Sequence, residues 1–191
     1  MRREREGSVA LVAAAFGVWA VTSAGAQEPS QAPEYRIKAA FLYNFTLYTE
    51  WPAAAFEKAD SPIVLAIAGD DPFGNELDAA VRGKTVRGRS IEVRRYGSAD
   101  DLAPCHLLYL SNAEAKQLPQ VLRRFPDAKP LTVAETEDFT RVGGVIRFFV
   151  DENKVRFEVN TDAAGRARLK ISSKLLHLAR VVRDAGGAKD R

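Results

Sequence analysis

Ile63-Val64-Leu65-Ala66-Ile67-Ala68 is an unbroken apolar run. A strand wet on one face alternates apolar and polar residues; this one does not, so both of its faces are buried. A sheet covered on both sides implies parallel strands joined by helical crossovers. Gly69-Asp70-Asp71-Pro72 ends the run and reads as the start of a helix, with an Asp cap and Pro at the first helical position. Phe73, Leu77 and Val81 supply that helix's inner face, and Gly83 stops it. Ser90–Tyr96 reads as a strand and His106–Leu110 as another. A helix from Ser111-Asn112 to about Arg123 and a short strand, Leu131–Ala134, follow.

The end of the chain is antiparallel. Val145–Val150 and Val155–Val159 flank Glu152-Asn153. With a two-residue turn there, Val150 opposes Val155, Phe148 opposes Phe157 and Ile146 opposes Val159, all on one face. Arg147 then sits opposite Glu158 on the other face, as a cross-strand ion pair. A three-residue turn would set Lys154, Arg156 and Glu158 beside the apolar set. Asn160 caps a short helix through Ala167. Ser172-Ser173 caps a last helix whose Leu175, Leu178, Ala179 and Val182 face the core. The architecture expected is a single α/β domain: a mostly parallel sheet flanked by helices, with a C-terminal antiparallel hairpin.

Before the first strand, Tyr35–Trp51 has helical periodicity, and Pro52 stops it. Ile37, Ala40, Phe41, Tyr43, Phe45, Leu47, Tyr48 and Trp51 fall on one broad arc. Asn44 lies among them and needs hydrogen-bond partners. Lys38, Thr46, Thr49 and Glu50 fall on the opposite, solvent side. Leu42 shares that side and is a candidate exposed anchor for a partner.

Arg2, Arg3 and Arg5 precede an apolar run from Val9 to Val21, followed by Ala24-Gly25-Ala26. That is a basic, apolar and small-residue sequence ending in a cleavage site. The run of about 13 residues is short for about 30 Å of hydrocarbon. Residues 1–26 are therefore read as a cleaved export signal, an uncleaved anchor being the alternative. Residues 27–33 form a polar leader, 34–183 the domain, and 184–191 a frayed tail. No later stretch is apolar enough to span a membrane. The formal net charge of +3 falls by one on cleavage, too small a balance to suggest a polyanion. Nucleic acid is not an expected partner. Arg82, Lys84, Arg87 and Arg89 form the one dense basic run, read as a solvated loop or strand edge rather than an anion site.

No catalytic constellation emerges. Cys105 is the only cysteine. It is read as buried and inert, with an intermolecular bridge or a reactive thiol as alternatives. His106 and His177 are the only histidines and are far apart in sequence. Adjacent strand residues point to opposite faces, so Cys105 and His106 do not form a nucleophile–base pair. No metal-ligand spacing occurs. Gly69-Asp70-Asp71-Pro72-Phe73-Gly74 lacks the Gly-Lys-Ser/Thr ending of a phosphate loop. No cofactor is expected. In parallel sheets, small ligands bind beyond the carboxyl ends of the strands. Those ends carry Gly69, Asp70, Ser111, Asn112, Glu135 and Thr136, the expected site for any ligand.

Four segments carry a resemblance. They are Ile37-Lys38-Ala39-Ala40-Phe41-Leu42-Tyr43-Asn44-Phe45 running to Trp51-Pro52, Gly69–Gly74, Cys105-His106-Leu107-Leu108-Tyr109, and Gly143-Gly144 through Val155–Asn160 to Leu169–Leu176. Over about residues 34–183 the chain resembles the YfiR family. The resemblance implies an exported, periplasmic α/β protein and a negative regulator without enzymatic activity. Its implied partner is an inner-membrane diguanylate cyclase, or a related signalling protein such as a kinase, restrained through its periplasmic region. An outer-membrane protein that relieves the restraint, a homodimer, and control of biofilm formation are implied as well. No catalytic residues carry over. One cysteine excludes a two-thiol switch within a chain, and Arg147 stands where the family motif often has Asn. The competing readings are a periplasmic small-molecule sensor and, third, an enzyme.

Overall fold

A computed structural model describes residues 32–126 and 129–184. Its elements run α1 (Ala32–Tyr48), β1 (Thr49–Glu50), β2 (Ile63–Ala68), α2 (Asn75–Val81), β3 (Thr85–Val86), β4 (Arg89–Tyr96) and β5 (Leu107–Leu110). Then follow α3 (Asn112–Ala115), α4 (Leu118–Arg123), β6 (Leu131–Ala134), β7 (Ile146–Asp151) and β8 (Lys154–Asn160). The chain continues through α5 (Thr161–Arg166), β9 (Lys170–Ile171), α6 (Ser173–Leu176) and β10 (Arg180–Val182). The export signal and the residues from 185 onward lie outside the described residues.

The main sheet is ordered β10-β8-β7-β6-β5-β2-β4-β3. Strands β4, β2, β5, β6 and β7 are parallel to one another. In chain order, the first of these lies between the second and the third, the doubly wound arrangement that reverses between β2 and β5. β2 is buried along its whole length, as its unbroken apolar sequence requires. Leu65, Ile67, Leu107, Tyr109, Ile146 and Phe148 project into one core. Val64, Ala66, Ala68, Leu108 and Leu110 project into the other, beneath α3 and α4.

The C-terminal hairpin has the register derived from its residue pattern, including Arg147 opposite Glu158. Glu152 and Asn153 both take positive φ, 48° and 57°, as a two-residue type I′ turn demands. Arg147 grips Glu158 through Nε–Oε1 at 2.9 Å and Nη2–Oε2 at 3.2 Å. The basic run before it in sequence forms a second small hairpin, β3–β4. There Arg87 pairs with Glu50 at 3.0 Å, and Arg89 donates to the Ser61 carbonyl at 2.6 Å.

Several local expectations fail for physical reasons. Helix α1 begins at Ala32, inside the segment read as leader, and ends at Tyr48, where Thr49–Glu50 pairs with Lys170–Ile171. Its buried face is rotated from the one expected, with Phe45 kept on it. Lys38, Ala39, Leu42, Phe45, Thr46 and Thr49 are buried, whereas Ile37 is 48% exposed and Asn44 only half-buried. Aromatic residues surround this helix, so apolar periodicity does not choose its face. Polar residues on the inner face find partners instead: Thr46 Oγ1 donates to the Tyr43 carbonyl at 2.7 Å, and Lys38 reaches acidic groups described below. Leu42 is thus core, not an exposed anchor.

Helix α2 starts at Asn75, because Asp71 Oδ1 accepts the Phe73 N–H at 2.8 Å and holds residues 71–73 in a turn. The helix after Ser111 breaks into α3 and α4, since Pro119 opens α4 and donates no backbone hydrogen bond. The last helix is one turn long. Leu178 is 68% exposed, and Arg180–Val182 instead lies parallel to β8 as an edge strand. Pairing with the open edge of β8 outweighs the helical pattern, as the β-branched Val181-Val182 pair favours. Asp184, expected in a frayed tail, accepts from Asn160 Nδ2 at 2.8 Å and pairs with Arg166.

Candidate functional site

The reversal between β2 and β5 places Gly69 beside Ser111. Gly69 has φ +82°, and a Cβ built there would lie 2.2 Å from Ser111 Oγ and 2.9 Å from Glu114 Cγ. Glycine is required both for the backbone angle and for the close approach. Ser111 Oγ is buried without a partner among the described residues, while Glu114 Oε2 accepts the Ala99 N–H at 2.9 Å. The crevice is filled by its own side chains. Gly69→Ala is therefore expected to cost about 2 kcal/mol, from left-handed strain plus overpacking. A urea midpoint unchanged from wild type would show that the crevice opens freely.

The other residues expected at the strand ends divide into separate groups. Thr136 Oγ1 donates to Asn112 Oδ1 at 3.3 Å, and Asp70 is exposed. Glu135 turns toward α1. Its Oε2 accepts from Lys38 Nζ at 2.7 Å and its Oε1 from the Tyr109 hydroxyl at 2.9 Å. Lys38 also pairs with Glu34 and lies 4.4 Å from the centre of the Tyr35 ring. Burial disfavours the charged ammonium, yet its hydrogen bonds to Glu135 and Glu34 outweigh that and hold its pKa above the usual lysine range. Burial, then the Glu135 charge, push the Tyr109 phenol strongly upward. This group keeps its protons and has no free carboxylate on Glu135; it ties α1 to the sheet. Sequence reasoning missed Lys38. The signal available was the spacing of Lys38, Leu42, Phe45, Thr46 and Thr49, together with Glu34 one turn before Lys38.

A different surface lies at the outer edge of the sheet. Val150 is 53% exposed, Val181 49% and Leu178 68%. Leu178 and Arg180 share a shallow groove with Phe149 and Arg156 of the hairpin. The Phe149 ring lies 4.4 Å from the Arg180 guanidinium and 5.2 Å from that of Arg147. Among the described residues, edge strand β10 has no partner on its outer side. Exposed apolar side chains along an unpaired edge suit contact with another chain.

Cys105 is buried, and burial pushes its thiol up to about 12, so little nucleophilic thiolate forms near neutral pH. His177 is exposed. Among the described residues no group of three or more His, Cys, Asp or Glu could hold a metal ion.

The sequence model of the YfiR/HmsC-like family matches residues 35–180. The chain belongs to that family. The matched span runs from the first turn of α1 to the start of β10 and takes in the whole parallel sheet. YfiR-like membership implies a periplasmic regulator of cyclic di-GMP signalling, and the family is regulatory rather than catalytic. The exposed edge is a feature that a regulator acting by contact could use.

Proposed function

We propose that this protein represses a membrane-bound diguanylate cyclase, or a related signalling protein, by direct contact with its periplasmic region. Family membership carries the reading. The basic, apolar and small-residue pattern of residues 1–26 supports export and cleavage, with action in the periplasm. The contact surface in this reading is the hairpin–β10 edge. There Leu178 and the edge residue Val181 offer apolar area, and Arg156 and Arg180, which share the groove with Leu178, fix orientation. The small net charge argues for apolar contact over long-range steering.

Deleting the gene in its native host is expected to raise cyclic di-GMP and biofilm formation. Wild-type protein should restore both, while Leu178→Asp combined with Val181→Asp should not, despite unchanged melting. Unaltered cyclic di-GMP in the deletion strain would remove the regulatory assignment. Full complementation by the double variant would move the contact surface elsewhere.

A further inference from the structure

Among the described residues the main sheet is open at both ends, and the two edges differ in how their charges are matched. β3 covers β4 only at Arg89 and Ser90, so Ile91–Tyr96 is open on its outer side. That edge is guarded by charges paired within the chain. Glu92 pairs with Arg94 at 2.8 Å, and Arg95 pairs with Asp71 at 2.6 Å and with Asp78 at 2.5 Å. Charged side chains of this kind keep a foreign strand off an edge.

The β10 edge is not matched in this way. Its sequence, Arg180-Val181-Val182-Arg183, sets two cations around a β-branched pair. In its register with β8, Arg180 and Val182 lie beside Glu158 and Asn160, while Val181 lies beside Val159 on the other face. Arg180 is 4.0 Å from Glu158, but that carboxylate is already held by Arg147 and Thr140. Arg183 shares a groove with Glu137 and Asp138, yet it forms no ion pair among the described residues, and Asp138 is taken by Arg141 at 2.8 Å. Arg156 adds a further cation beside Arg180, and Asp151 in the same groove faces Lys154 across the hairpin. Outside the β8 ladder, no backbone group of residues 181–183 has a partner among the described residues. The edge thus combines two cations without a dedicated acid, a half-exposed valine and an outward row of backbone groups.

A second copy of the chain fits this edge poorly. Antiparallel self-pairing that opposes Val181 to Val182 sets Arg180 opposite Arg183 twice, and like charges directly opposite destabilise a strand pair. A strand of reversed charge fits. We propose that β10 accepts an extended segment of the signalling protein's periplasmic region as a further strand, with a core of acidic–apolar–apolar–acidic residues. Its acidic residues face Arg180 and Arg183, its apolar residues lie along Val181 and Val182, and its backbone continues the ladder. This deepens the regulatory reading and rests on it for the source of the strand.

The isotope-labelled exported protein is titrated at low salt with a capped synthetic peptide of core Glu-Val-Val-Glu, and backbone amide shifts are followed by NMR. Saturable shifts centred on residues 180–183 are expected. A Lys-Val-Val-Lys peptide should bind about tenfold more weakly, as should the acidic peptide to Arg180→Gln combined with Arg183→Gln. Both arginines are exposed, and a melting curve checks the fold of that variant. The comparison of the two peptides needs no variant. The acidic peptide methylated on both valine nitrogens keeps its charge and should lose saturable binding, because the methyl groups remove its ladder donors. No saturation at millimolar peptide overturns the proposal. Equal affinity for the acidic and basic peptides overturns the charge match, and undiminished affinity of the methylated peptide overturns strand addition. Binding seen only after residues 185–191 are removed assigns the edge to the chain's own tail and overturns the proposal as well. Binding by the acidic peptide together with unaltered cyclic di-GMP in the deletion strain removes the regulatory reading and leaves the strand acceptor standing.

Discussion

Lys38→Met is expected to destabilise the protein by about 3 kcal/mol and to lower its melting temperature by about 6–12 °C. Lys38 is 1% exposed, so its ammonium has no access to bulk water. Methionine fills the space of the lysine stem, which keeps cavity formation out of the comparison. What changes is Glu135. Its Oε2 loses the 2.7 Å contact while its side chain stays 21% exposed. Leaving a fully buried charge unpaired costs about 3–5 kcal/mol, and the partial exposure of Glu135 sets the lower end of that range. Adding Glu135→Gln should return most of the loss, because an amide tolerates the site without a counter-charge. Urea unfolding of the two single variants and the double variant measures the coupling. A Lys38→Met midpoint equal to wild type would refute it. The raised lysine pKa also sets the pH window. The contribution is complete below the unfolded lysine value of about 10.4, and it disappears only as alkali deprotonates the folded group above that.

This ion group also shows where reading the chain succeeds and where it stops. β2 and the hairpin are legible because their determinants are local: an unbroken apolar run in one, strict alternation about a two-residue turn in the other. The face of α1 is not local. Its aromatic residues point all round, and the choice of Lys38 over Ile37 as the inner residue depends on Glu135, 97 residues later. β10 is lost for a similar reason. Nothing in Arg180-Val181-Val182 announces that β8 will present an open edge. The position of the strand-end site follows from a general rule about parallel sheets, and Gly69 and Ser111 do meet there. Whether such a crevice is open depends on the approach of two backbones, which no spacing encodes.

Acid is expected to destabilise the protein through His106, by about 3 kcal/mol between pH 6.5 and 4. Burial pushes the imidazole down to about 4; the Ala55 carbonyl opposes this weakly, and the Arg89 and Arg94 charges add to it. Geometry gives the same direction. Nδ1 is occupied as an acceptor for the Val64 N–H, so protonating it would break the bond that ties the start of β2 to the residue before β5. Below pH 6.5 the unfolded chain takes up a proton that the folded chain refuses. Stability then falls by about 1.4 kcal/mol per pH unit until the folded group also protonates near pH 4. Glu158, held below the usual carboxylate range by Arg147 and Thr140 despite its burial, contributes above its unfolded value of about 4.5 and loses that contribution under stronger acid. The slope between pH 6.5 and 5 therefore reports His106. His106→Asn keeps an acceptor for the Val64 N–H and removes the titration, so its urea midpoint should stay flat over that interval while the wild-type midpoint falls. A wild-type midpoint that is equally flat from pH 7 to 5 would mean that the imidazole takes its proton in the folded chain as readily as in the unfolded one.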